Sequence, residues 1–154
     1  MTKRFSMSLL FTLAFAPSAW AQAQPVEVAL QVGSSKHQFS GQGQCKAAPQ
    51  ASIYGINAAL YTVSQRSGGQ ALNLTLWQPK DGSPNMISLR VSSGSKAYQV
   101  DTVKGGAKRD TKGSGSATVD KAGVFTLDAV AATGERITGR IRCGSFGGIQ
   151  AEGG

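Results

Sequence analysis

His37 is the only histidine of the chain, and Cys45 and Cys143 are its only cysteines. Acyl transfer by a serine nucleophile needs an imidazole held between a hydroxyl and a carboxylate. His37 opens a run with strand-like alternation, no Gly-x-Ser-x-Gly elbow leads into a helix, and no motif designates an acid partner. His37 therefore reads as a lone surface histidine. One histidine and two cysteines fall short of the three or four ligands of a zinc site, so neither a metal nor a cofactor is expected. Glycoside hydrolysis needs two carboxylates facing one bond. The acids Asp81, Asp101, Asp110, Asp120, Asp128 and Glu135 are scattered. Asp81, Asp110 and Asp120 fall in or beside turns, where Asp serves the backbone. Gly105-Gly106 and Gly113-Ser114-Gly115-Ser116 lack the Gly-Lys-Ser/Thr ending and the helix of a phosphate loop.

The densest charge is basic. Lys104, Lys108, Arg109 and Lys112 crowd one Gly-rich stretch with Asp110 as its only acid. Such a loop either meets an anionic lipid, a polysaccharide or an acidic protein surface, or is a solvated connector. Nucleic acid is not expected, because Trp77 and Tyr98 alone make no stacking platform. The whole chain carries 16 Lys+Arg against 8 Asp+Glu in 154 residues, a net charge of +8. Charged residues at 16% and hydrophobic ones at 40% exclude both a charged disordered chain and a Glu/Lys/Leu-rich helical bundle.

These residues must be placed by a fold built outside the reducing cytosol. Lys3 and Arg4 precede an apolar stretch over residues 5–15, followed by Pro17, Ser18 and the overlapping small-x-small sites Ala19-Trp20-Ala21 and Ala21-Gln22-Ala23. This is the pattern of a secretory signal peptide over residues 1–23. The apolar stretch, about eleven residues, is too short for a bilayer of roughly 30 Å, and no transmembrane segment is expected elsewhere. Export to the periplasm or beyond the cell makes Cys45 and Cys143 a disulfide pair, with free buried thiols as the alternative.

Strand-length runs separated by Gly and Ser fill residues 24–143. Val26, Val28, Leu30 and Val32 alternate with Glu27, Ala29 and Gln31, and Phe39, Gly41, Gly43 and Cys45 share one face of the next run. Residues 46–50 read as a Pro-containing loop. Residues 52–66 are ambiguous: a short strand at 53–56, then an irregular or briefly helical crossing. Leu72, Leu74 and Leu76, then Ile87, Leu89 and Val91, then Tyr98 and Val100, mark further strands. Residues 104–115 read as a mobile loop, and strands at 116–120, 123–130 and 135–143 complete the pattern. About eight short strands at this spacing predict an all-β domain, an antiparallel sandwich or partly open barrel stapled by one disulfide. The Gly-rich residues 144–154 read as a flexible tail in which Phe146 and Ile149 can tuck in at the start.

Three stretches carry a resemblance: Phe39-Ser40-Gly41-Gln42-Gly43-Gln44-Cys45, Gly115-Ser116-Ala117-Thr118-Val119-Asp120-Lys121-Ala122-Gly123-Val124-Phe125 and Ile137-Thr138-Gly139-Arg140-Ile141-Arg142-Cys143. Over residues 26–143 the chain resembles the small exported lipoprotein antigens of mycobacteria and related bacterial envelope proteins. The resemblance implies a β-rich domain bracketed by two cysteines and no catalytic residues. The chain departs from that family in lacking a lipidation cysteine and a Ser/Thr-rich spacer, so surface anchoring is not carried over. The expectation is an exported, non-enzymatic binding or interaction module of the bacterial envelope. Its partner would be an envelope protein, an anionic lipid or a polysaccharide. The alternatives are a small secreted hydrolase with an unrecognised site and an inhibitor or immunity-type protein.

Overall fold

The alternation of Val26, Val28, Leu30 and Val32 is realised as a strand whose odd and even side chains part to opposite faces, one buried and one exposed. A computed structural model describes residues 23–103 and 111–149. It contains β1 (Gln24–Val32), β2 (Ser35–Ile53), β3 (Ile56–Ser67), β4 (Gln70–Pro79) and β5 (Met86–Ser93). After these come β6 (Lys96–Asp101), β7 (Ser114–Val119), β8 (Val124–Val130), β9 (Arg136–Cys143) and the two-residue β10 (Gly147–Gly148). No helix is present among the described residues.

All ten strands belong to one sheet, in the order β6-β5-β4-β3-β2-β1-β9-β8-β7, with β10 beside β2. Two antiparallel meanders, β1 to β6 and β7 to β9, are joined edge to edge by the pairing of β1 with β9. The sheet curls until its outer edges nearly meet, which makes a barrel rather than two stacked sheets. Four hydrogen bonds draw those edges together: Asp101 N–H to Lys112 O at 2.6 Å, Lys112 N–H to Asp101 O at 2.9 Å, Ala132 N–H to Gln99 O at 2.8 Å, and Asn85 Nδ2–H to Ala117 O at 2.9 Å. Near closure leaves little unpaired strand edge exposed.

The interior is apolar along nearly its whole length. Leu72, Leu74 and Leu76 meet Ile87, Leu89, Val91 and Phe125, all at most 2% exposed. Each such side chain contributes about 1.5–3 kcal/mol on leaving water. Cys45 of β2 and Cys143 of β9 form a disulfide across this core, spanning the two strands that flank β1. Tyr61, Phe125 and Phe146 stack edge to face beside it, with ring centroids 5.7 to 6.1 Å apart.

Two inner-face glycines are required by close approach. A Cβ on Gly43 would lie 2.6 Å from Ser64 O, and one on Gly139 would lie 2.2 Å from Ala29 O. Gly139 also has φ +140°, which side chains disfavour.

Two expectations are corrected here. Residues 46–50 are not a loop: they continue β2, which absorbs an irregularity between Ala48 and Ala51 while pairing with β3. Residues 56–67 form a regular strand with no helical turn, because Tyr61, Val63 and Gln65 follow the strand period and all face inward. After β9 the chain packs back against the sheet through residues 146–149. Phe146 enters the aromatic cluster, Gly147 and Gly148 pair in parallel with Lys46 and Ala47, and Ile149 N–H donates to Ala47 O.

Candidate functional site

On β4 the inner residues are Leu72, Leu74 and Leu76, so Ala71, Asn73, Thr75 and Trp77 face out along one line. Two concavities lie on that line. The first, at the β3–β4 turn, is lined by Arg66, Gly68, Gln70, Asn73, Arg90 and Ser92, with Ser67, Gly69 and Ala71 completing it. The register explains the placement. Arg66 is paired with Ala71, and Arg90 is paired with Asn73 from the other side of β4. Ala71 offers only a methyl group between the two arginines, so the floor is low. Gly68 and Gly69 take φ of +55° and +76°, which lets the β3–β4 turn stay tight beside it.

The electrostatics of this groove are one-signed. It has two guanidiniums and no carboxylate among its lining residues. Among the described residues neither Arg66 nor Arg90 has an ion-pair partner. On β9 two arginines do: Arg136 binds Asp128 at 2.9 Å, and Arg142 lies 3.9 Å from Glu27. Arg140 is also exposed on β9, but its cross-strand neighbours are Ala29 and Thr126 and it lines neither concavity.

The second concavity lies at the other end of β4. Ser52, Tyr54, Thr75, Trp77, Ser88 and Asp101 line it, with Ile53 and Val103. It is positioned by a small apolar cluster outside the barrel, where Ile53, Ala58 and Val103 are buried against Trp77 and Met86. The hairpin between β2 and β3 builds its rim. Tyr54 and Gly55 both have positive φ, +52° and +79°, and Tyr54 is 53% exposed. Asp101 is held there by its Oδ1, which accepts the Val103 N–H at 3.2 Å.

The residues singled out by sequence fare differently. The pairing of Cys45 with Cys143 is present. Lys104, Lys108 and Arg109 of the basic loop lie outside the described residues, as does Asp110. Lys112 is exposed and forms an isolated antiparallel bridge with Asp101, which places it beside the second concavity.

His37 is not a surface residue. It is 6% exposed and lies inside the barrel, where its ring meets Tyr98 edge-on at 6.1 Å. Neither of its nitrogens has a hydrogen-bond partner among the described residues, so no hydroxyl or carboxylate orients it. Gln65, also buried, shares this condition at both amide atoms. Sequence reasoning missed Gln65 altogether. Its inward direction follows from a strand period through Tyr61 and Val63.

The scattered carboxylates have local partners. Asp81 Oδ1 accepts the Ser83 N–H at 2.9 Å, and this bond holds the Asp81 carboxyl below its ordinary range. Asp120 Oδ1 accepts from Ala122 and Val124, both at 2.9 Å. The hydrogen bond from Arg136 lowers Asp128, and one from Thr133 lowers Glu135. Among the described residues no three His, Cys, Asp or Glu side chains come together to hold a metal ion.

Arg66 and Arg90 carried no sequence motif, since they are separated in the chain and united only by the register of β3, β4 and β5. No protein-family model, no curated protein and no solved structure matches the chain.

Proposed function

We propose that the chain is an exported, non-enzymatic binding module of the bacterial envelope that takes an anionic polysaccharide on the outer face of β3, β4 and β5. One observation carries this reading: Arg66 and Arg90 face one groove with no acid in its lining, and neither guanidinium has an ion-pair partner among the described residues. Guanidinium recognises carboxylate and sulfate through paired N–H donors in a fixed plane, so two of them in a cleft favour an acidic chain over a neutral one.

The shape supports a polymer rather than a membrane. The only exposed large hydrophobics among the described residues are Tyr54 and Val130, too few to insert into a bilayer. No helix of the described residues is long and apolar enough to cross a membrane. The disulfide is compatible with an oxidising compartment, which the export signal at residues 1–23 would reach.

Retention on immobilised polygalacturonate tests the reading. The protein is expected to bind at low salt and to elute as the screening length contracts from about 30 Å at 0.01 M toward about 10 Å at 0.1 M. Replacing Arg66 and Arg90 together by Gln should abolish retention with the circular dichroism spectrum unchanged. Equal retention of the double variant would reject the groove.

A further inference from the structure

The second concavity deepens this reading, on which it rests, by naming the sugar. We infer that the hollow between Tyr54 and Trp77 is a pyranose subsite, and that the basic groove and this subsite are the two ends of one track for an acidic oligosaccharide. Ala71, Asn73, Thr75 and Trp77 point outward at alternate positions of β4, so the track runs straight along one strand. The six steps from Ala71 to Trp77 cover about 20 Å at roughly 3.3 Å per residue. That is room for a short run of sugar rings.

The lining has the chemistry that sugars require. A pyranose presents an apolar face of C–H bonds and a rim of hydroxyls, so it is recognised by an aromatic plane flanked by hydrogen-bonding side chains. Trp77 is half-buried, with its base set in the cluster of Ile53, Ala58 and Val103. Tyr54 stands exposed at the rim. Ser52, Thr75, Ser88 and Asp101 supply hydroxyls and a carboxylate between and beside them. Lys112, cross-strand partner of Asp101, adds a cation at the same edge.

Tyr54 adds an independent pointer. It is the only described non-glycine residue with positive φ, in a two-residue turn that favours Asn-Gly. An aromatic residue there strains the backbone and exposes a large ring to water. Tyr54 thus holds an aromatic ring at the rim of the hollow, at a turn position that Asn would fill with less strain.

Calorimetric titration of the full chain with hexagalacturonate, maltohexaose, polyphosphate and oligothymidylate tests the assignment on the parent, Tyr54→Asn, Trp77→Leu and the Arg66→Gln/Arg90→Gln pair. Tyr54→Asn keeps the turn, so its loss of binding is not a loss of fold. Hexagalacturonate should bind tightest, and each aromatic variant should weaken it by about tenfold, the size of one lost stacking contact. Polyphosphate binding should depend on the arginines and ignore Tyr54. If Tyr54→Asn and Trp77→Leu bind hexagalacturonate like the parent while the arginine pair does not, the subsite is wrong and the anionic groove stands. If maltohexaose binds through Tyr54 and the arginine variant is unaffected, the groove is wrong and the subsite stands without its acidic partner. Tighter, Tyr54-dependent binding of oligothymidylate would overturn the sugar assignment, and no binding of any probe would overturn both readings.

Discussion

Asp101 and Lys112 exchange both backbone hydrogen bonds across the gap between the two meanders, at 2.6 and 2.9 Å. This single pair joins the end of β6 to the approach of β7 and sets a cation beside an acid at the edge of the Tyr54–Trp77 hollow. A pair that helps to close the barrel therefore also lies at the edge of that hollow. Lys112 lies two residues before the start of β7.

The disulfide is expected to carry a large share of the stability. Cys45 and Cys143 are separated by 98 positions, and in the chain-entropy model a loop of that size is worth about 4–5 kcal/mol. Replacing both by Ala should lower the urea midpoint by a corresponding amount. A change under about 1 kcal/mol would show that the sheet closes without the staple.

Gly139 is expected to tolerate no side chain. A Cβ would meet Ala29 O at 2.2 Å and Leu30 Cα at 2.9 Å, both backbone atoms that cannot swing aside. Gly139→Ala should destabilise by more than about 3 kcal/mol, while Gly68→Ala, which meets nothing within 4 Å, should lose about 1 kcal/mol through its positive φ alone. Thermal unfolding of the two variants separates crowding from backbone strain. Equal losses would place the cost in φ.

The buried polar side chains lead to a less intuitive expectation. Among the described residues no group bonds to the side-chain nitrogens of His37 or to the amide of Gln65. Exchanging Gln65 for Met or His37 for Leu nearly keeps the volume and orphans no described partner, so stability should hold or rise, by up to about 1–3 kcal/mol. A marked loss in denaturant titration would mean that these atoms are engaged in the folded protein.

The strand pattern was legible in sequence wherever a residue type stated its face. Val26 to Val32 and Leu72 to Leu76 alternate without exception, and both cysteines lie on apolar faces. His37 was misplaced because its polarity argued for water, yet it has the parity of Phe39, Gly41, Gly43 and Cys45, and extending that alternation by one step turns it inward. Residues 46–67 were obscured by a different cause. Ile53, Ile56, Leu60 and Val63 recur at helical spacing only because Ile53 packs outside the barrel and Val63 inside it. The candidate site was the least legible part. Arg66 and Arg90 meet only through strand register, and no local pattern encodes a contact between β3 and β5 across β4.

Acid should weaken one surface contact selectively. The bidentate bond from Arg136 lowers the Asp128 carboxyl below its unfolded value. A depressed carboxyl contributes stability that is fully present above the unfolded value and is lost as pH falls through the folded one. Asp128→Asn should therefore remove a small part of the acid-side slope of stability against pH and leave neutral pH almost unchanged, since the pair is exposed. An identical slope in the variant would show that the pair does not contribute.

The account as a whole rests on the outer face of β3, β4 and β5 being where a ligand is held. Amide chemical-shift mapping during titration with hexagalacturonate tests that most directly. The account predicts perturbations at Arg66, Gly68, Asn73 and Arg90 continuing through Thr75 to Trp77 and Tyr54, with the outer faces of β8 and β9 silent. Shifts confined to β8 and β9, or to the chain between β6 and β7, would contradict it.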